Sequence, residues 1–204
     1  NKMSEKLYLY PVWVRLWHWS NAILFILLII TGLSMQYSGT EMKFIRFDIA
    51  VAMHNISGVL VTLLYAIYIL GNTITVNSKN YRIREKGLIG RIIKQFRYYS
   101  YGIFINEKPP FPAKKNRKFN PMQLVSYVIV MYLFFPFLII TGFGLLYPET
   151  IFPSVFGISG IQFTAIFHSL LGFFLSVFML IHIYMCTLGE KPSTHFKSMI
   201  NGYH

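Results

Sequence analysis

The 204 residues suffice for one ordinary domain, but 54% are apolar, only 13% are charged, and the mean hydropathy is +0.49, which does not suit a soluble one. The net charge of +12 does not mark a nucleic-acid binder, because most basic residues lie in one segment, Lys79 to Lys118, between two apolar blocks. The single cysteine, Cys186, excludes an internal disulfide, a Cys-x-x-Cys-His haem attachment and a four-cysteine iron–sulfur cluster built by this chain alone; it reads as a small apolar residue in a helix.

The start, Asn1-Lys2-Met3-Ser4, leads into an apolar stretch from Trp13 to Met35 that is too long for a signal peptide and lacks a small-residue cleavage site after it. Four such segments occur, at about 13–35, 49–73, 122–147 and 161–188. Each exceeds the roughly twenty residues needed to cross hydrocarbon, and each is uncharged apart from Arg15 at the edge of the first. Backbone amides in lipid must be paired within their own segment, so these are helices. The expected fold is all-α: a single integral membrane domain, a four-helix bundle with Pro136 bending the third span.

The loops orient it. Lys43 and Arg46 in the first loop are balanced by Glu41 and Asp48, and the third, Pro148 to Gly160, has no Lys or Arg. The second loop, 74–121, is dense with both. The positive-inside rule puts that loop and both termini in the cytoplasm. Within it, Leu88, Ile89, Ile92, Ile93 and Phe96 recur at helical spacing while Arg91, Lys94 and Arg97 fall elsewhere on the wheel. That pattern predicts an amphipathic helix over Leu88 to Phe104 on the membrane surface. Pro109-Pro110-Phe111-Pro112 then reads as a stiff extended link.

A short internal repeat is present. Leu28-Ile29-Ile30-Thr31-Gly32 matches Leu138-Ile139-Ile140-Thr141-Gly142, and His54-x-x-x-Gly58 matches His168-x-x-x-Gly172, as two related helical hairpins would produce.

Of six histidines, His18, His54, His168 and His182 fall within spans, where an unpaired polar group is costly. Span direction places His54 and His168 near the outer side and His18 near the cytoplasmic side. His182 lies fourteen residues beyond His168, roughly 21 Å deeper and within about 40° of the same helix face. Two ligands therefore pair at each depth, His54 with His168 and His18 with His182. Such pairs suit b-type haem with both axial positions filled. Gly58 and Gly172, one turn beyond the outer histidines, would leave room for a macrocycle, as could Gly32 and Gly142; close helix packing is the other reading of all four. Arg15, one turn before His18, either pairs with a haem propionate or snorkels to the interface. His195 and His204 lie in the polar tail and are not assigned to haem.

The run Pro11-Val12-Trp13-Val14-Arg15-Leu16-Trp17-His18-Trp19, the segment His54-Asn55-Ile56-Ser57-Gly58 and the His168/His182 pair together resemble a bacterial family. These are the cytochrome b subunits of membrane-bound formate dehydrogenase, nickel–iron hydrogenase and thiosulfate-reductase-type complexes. The resemblance covers nearly the whole chain. It implies two b haems that relay electrons between an outer-face partner, an iron–sulfur protein or a c-type cytochrome, and a membrane quinone, menaquinone or ubiquinone. It also implies a quinone site: Lys118-Phe119-Asn120-Pro121-Met122-Gln123 is similar to a Lys-Tyr-Asn-x-Gly-Gln segment of the formate dehydrogenase branch, making Asn120 and Gln123 candidates. Met122 departs from the Gly of that pattern, and Asn-Pro before a span is also an ordinary helix start.

No nucleophile, metal-hydrolase or nucleotide-binding constellation appears, so no centre for a primary substrate is expected here. The rival readings are a haem-free membrane anchor with hydrogen-bonded histidines and a small transporter. The latter would place ionisable residues along a midplane path, and the middle of these spans has no Asp, Glu, Lys or Arg.

Overall fold

The computed structural model describes residues 7–39, 45–83, 86–114, 117–189 and 191–203. Asn1 to Ser4, Glu41, Lys43 and His204, used in the reading above, lie outside them. Four helices are long and apolar enough to span a membrane: Val12–Gln36, Phe47–Ile74, Pro121–Leu146 and Gly160–Cys186. They match the four expected spans to within two residues at each end, and the chain is an all-α membrane bundle. The remaining sheet is one two-stranded hairpin, Ser154–Val155 with Ile158–Ser159, in the third loop.

The spans run up and down. The first packs along the second and the third along the fourth, and the hairpins meet mainly where the second span touches the third. Outward positions carry large apolar side chains such as Leu16, Leu63 and Leu180, each more than half exposed, as a lipid-facing surface requires. The inner packing is aromatic. Tyr68, Val130, Met131 and Leu175 are buried, and Trp17, Phe25, Tyr65, Tyr81, Phe134 and Phe178 pack against them. The Trp17 ring stacks on Tyr68 at 4.7 Å and its indole N–H donates to the Leu64 carbonyl at 2.9 Å, tying first span to second.

Pro136 acts on the third span through a π turn over Val130–Phe134. The Phe135 N–H reaches back to the Val130 carbonyl, and the next donor along, at position 136, does not exist because that residue is proline. The Met131 carbonyl is thereby freed, and the Tyr65 hydroxyl donates to it at 2.9 Å from the second span. A neighbouring helix thus satisfies the backbone group that proline strands in lipid.

The charged loop contains the expected surface helix, Leu88–Ser100, ending four residues earlier than the pattern suggested. The chain turns at Gly102 into a 3-10 turn, Gly102–Ile105, and Glu107 folds back to pair with Arg97 at 2.7 Å. Ile89, Ile93 and Phe96 form an exposed apolar stripe at i, i+4, i+7, while Gln95 on the other face is buried. Phe111 of the proline-rich link sits between the guanidinium groups of Arg91 and Arg117, at 4.8 and 5.5 Å.

The tail beyond the fourth span is not a loose polar segment. It forms a helix, Thr194–Asn201, that docks on the start of the first span. Arg15 donates to the Ile200 carbonyl and the Trp19 indole to the Met199 carbonyl, both last-turn acceptors that the helix leaves unpaired. Backbone N–H groups of Leu9 and Tyr10 donate to the Gly202 carbonyl. Both chain ends and the charged loop therefore lie at one end of the bundle.

Tyr65→Phe removes one hydroxyl and leaves the Met131 carbonyl unpaired. We expect a loss of roughly 0.5–1.5 kcal/mol, read as a lower unfolding midpoint in detergent; an unchanged midpoint would show that another donor serves this carbonyl.

Candidate functional site

The four intramembrane histidines meet in two pairs. His54 of the second span faces His168 of the fourth, with ring centres 6.3 Å apart and planes at 70°. His18 of the first span faces His182 of the fourth at 6.1 Å and 58°. The fourth span supplies one member of each pair, so the pairs sit at opposite ends of the bundle.

The first pair is held by a repeated device. Thr31 donates its hydroxyl proton to the Leu27 carbonyl at 2.7 Å, and its oxygen lies 2.9 Å from His54 Nδ1. Thr141 does the same with the Phe137 carbonyl and His168 Nδ1, again at 2.7 and 2.9 Å. A hydroxyl has one proton, and here a backbone carbonyl takes it. The threonine oxygen must then accept from Nδ1–H, which leaves the Nε2 lone pair of both histidines for a metal. Neither threonine was assigned a role from sequence. The repeat that contains them was the available signal.

The glycines divide into two kinds. Gly32 and Gly142 follow those threonines, and a Cβ there would lie 3.5 Å from His54 Cε1 or 3.2 Å from His168 Cε1. They bring the imidazole ring against the neighbouring helix rather than making room for a macrocycle directly. At Gly58 and Gly172 a Cβ would meet no atom within 4 Å, so close helix packing does not explain them.

The second pair is built differently. Nδ1 of His18 is buried without a hydrogen-bond partner among the described residues. The His182 ring stacks on Phe178 at 6.0 Å and 18°, with its Nδ1 3.4 Å from the Tyr127 hydroxyl, at the long end of a hydrogen bond. Cys186, one turn on, lies 3.9 Å from His182 Nε2.

The remaining candidates have other partners. Arg15 is turned to the C-terminal helix, on the Ile200 carbonyl. Asn120 and Gln123 form a reciprocal cap on the third span: the Asn120 side chain accepts from the Gln123 N–H at 2.9 Å, and Gln123 Oε1 from the Asn120 N–H at 3.1 Å. The Asn120 amide also donates to the Tyr99 hydroxyl at 2.9 Å. His195 lies half-buried near the start of the C-terminal helix, close to Gly189.

Among the described residues no group of three or more His, Cys, Asp or Glu gathers as a metal cage. Two imidazoles alone suit an iron whose other four ligands come from a macrocycle. The ring centres stand 6.1 and 6.3 Å apart, close to the roughly 6.2 Å that two metal–nitrogen bonds of about 2.0 Å and two ring radii of about 1.1 Å add up to. The model of a family described as prokaryotic cytochrome b561 matches residues 9–202. The chain belongs to that family. This cytochrome is 41% identical over 202 residues to the putative cytochrome YdhU of Escherichia coli K12, covering 98% of this chain and 76% of that protein. It is 25% identical over 233 residues to the probable Ni/Fe-hydrogenase B-type cytochrome subunit of Cupriavidus necator, covering 99% and 88%. Family and fold together make the chain a multi-pass bacterial membrane cytochrome that transfers electrons through b-type haem.

Thr31→Val or Thr141→Val keeps the side-chain shape and strands an Nδ1–H in an apolar interior. The expected loss is roughly 1–3 kcal/mol in detergent unfolding, with Thr→Ser restoring it. In haem-loaded protein each Val variant should raise a midpoint potential, since an imidazole without its Nδ1–H acceptor is a weaker base toward ferric iron. Unmoved stability and potential would remove the threonines from the site.

Proposed function

We propose that this chain carries two b haems, one held by His54 and His168 at the outer side and one by His18 and His182 at the cytoplasmic side. Through them it links a redox partner on the outer face to the membrane quinone pool. The observation that carries the reading is the pair of imidazole couples at opposite ends of one bundle, each with its ring centres a little over 6 Å apart.

When bound, the haem supplies reversible one-electron exchange. The chain's residues do the rest. The histidines would hold the iron from both sides, which would commit it to electron transfer rather than to binding a further ligand. Gly58 and Gly172 leave the space beside the outer pair open. An aromatic column lies between and around the pairs, with Phe25 on Phe135 at 5.5 Å and Phe135 on Tyr65 at 5.0 Å. It excludes water and keeps the dielectric low along the path.

The orientation rests on the basic loop, which puts both termini on the cytoplasmic side of the inner membrane. The partner would be an iron–sulfur or c-type cytochrome subunit of a larger oxidoreductase complex, a reading supported by the hydrogenase subunit named among the relatives. The quinone site belongs at the cytoplasmic end, near His182. There Asn120 and Gln123 act chiefly by starting the third span, since their acceptor oxygens are taken by the helix cap. Moving an electron inward against the membrane potential stores about 2.3 kcal/mol per 100 mV.

A dithionite-reduced-minus-oxidised spectrum with pyridine haemochrome quantitation tests this. The expected result is about two b haems per chain, one remaining after His→Ala at either member of a pair and none after substitution in both. A haem-free chain would favour an anchor; a single haem would discard one pair.

A further inference from the structure

The inner histidine pair is flanked by a cation that the fold does not explain. Lys118 lies three residues before the third span and is only 8% exposed. Its ammonium sits 4.3 Å from the centre of the Tyr10 ring and 5.3 Å from that of Phe119. Phe119 in turn packs on Tyr127, which packs on His182. The rings favour a cation but carry no counter-charge.

No described carboxylate is available to it. Asp48 pairs with Arg46 and Glu107 with Arg97, each at 2.7 Å, and Glu149 lies in a loop at the opposite end of the bundle. The other titratable groups at this corner are Tyr10, Tyr81, Tyr99, Tyr127 and Cys186. Burial pushes the Tyr10 phenol up to about 12 and raises Tyr81 and Tyr99 as well, so these phenols are not anions near pH 7. Burial also brings Lys118 down to about 8, the mark of an ammonium that has lost water without gaining an acid. A buried charge of this kind calls for an anion.

We propose that Lys118 is the counter-charge for a carboxylate on the cofactor held by His18 and His182, and that it thereby sets the inner midpoint potential above the value the ligands alone would give. The proposal rests on the two-haem reading. A b haem carries two propionate carboxylates on its rim, and these are the anions a cofactor brings to this corner. A fixed cation also favours the reduced state, because reduction adds negative charge within its field. Arg15, the other cation nearby, is engaged by the Ile200 carbonyl.

The experiment uses the full chain, wild type and as Lys118→Gln and Lys118→Arg, each loaded with haem b or with haem dimethyl ester, whose carboxylates are capped. Redox titration is followed optically, with the inner component identified by its absence in His18→Ala. With haem b, Lys118→Gln should lower the inner midpoint by about 59 mV, a tenfold change in the one-electron equilibrium. The outer midpoint should stay in place, and Lys118→Arg should restore the inner one. Retention of the inner haem on dilution isolates the carboxylate: Lys118→Gln should release haem b faster from the inner site, and with the dimethyl ester wild type and Lys118→Gln should release it alike. An unaltered inner midpoint in a two-haem Lys118→Gln protein overturns the proposal. So does a loss of inner-haem retention that is equally large with the ester, which would give Lys118 a role that no cofactor carboxylate serves. If Lys118→Gln does not accumulate, wild type alone decides: on going from haem b to the ester, the inner site must lose more retention than the outer. A wild-type chain without haem would sink the two-haem reading itself, a result distinct from all of these.

Discussion

An imidazole inside a bilayer must have something at each of its two nitrogens, because no water is there to supply a partner. That requirement organises this bundle. At the outer pair a threonine hydroxyl, relayed to a backbone carbonyl, takes Nδ1–H on both helices. The opposite nitrogen of each ring is then left as a lone pair, and the two ring centres stand 6.3 Å apart. The glycine after each threonine is a consequence of the same contact, since the ring must approach the helix that holds it.

The two ends of the molecule differ in how they satisfy this rule. The outer pair is symmetric, with matching residues from two similar hairpins and nearly identical distances. The inner pair is not. His18 has no described partner at Nδ1, His182 leans on Phe178 and Tyr127, and a buried lysine stands beside them. A redox centre in the first environment is fixed by neutral hydrogen bonds, and one in the second by charge and aromatic contact. With a haem at each pair, as proposed, that asymmetry would give the two ends different midpoint potentials.

The corner that holds Lys118 is also where the chain closes on itself. The C-terminal helix uses Arg15 and Trp19 of the first span to satisfy its last carbonyls, and the strand-like residues around Tyr8 and Tyr203 join the two termini. Asn120 and Gln123 spend their acceptor oxygens on starting the third span. Residues that look like ligands in the sequence thus serve partly as the framework of the corner, and their effect on a bound molecule passes through its shape.

How much was legible beforehand depends on the range of each interaction. Span positions followed from apolar length, since the bilayer sets a length and the backbone has only one way to meet it. The pairing of His54 with His168 and of His18 with His182 was inferred from depth, because helix rise and alternating direction place each histidine at a level without knowledge of packing. The surface helix showed in its periodicity, and its end was misjudged because the apolar pattern runs on into the 3-10 turn Gly102–Ile105. The docked C-terminal helix, the Tyr65 donor for the carbonyl freed by Pro136, the threonine acceptors and the buried Lys118 were not visible. Each depends on which side chain of a distant segment arrives at a given atom. Hydrophobic length and helical rise are properties of one segment and belong to the sequence; the partner of a particular nitrogen or carbonyl is set where segments meet, and only the tertiary structure decides it.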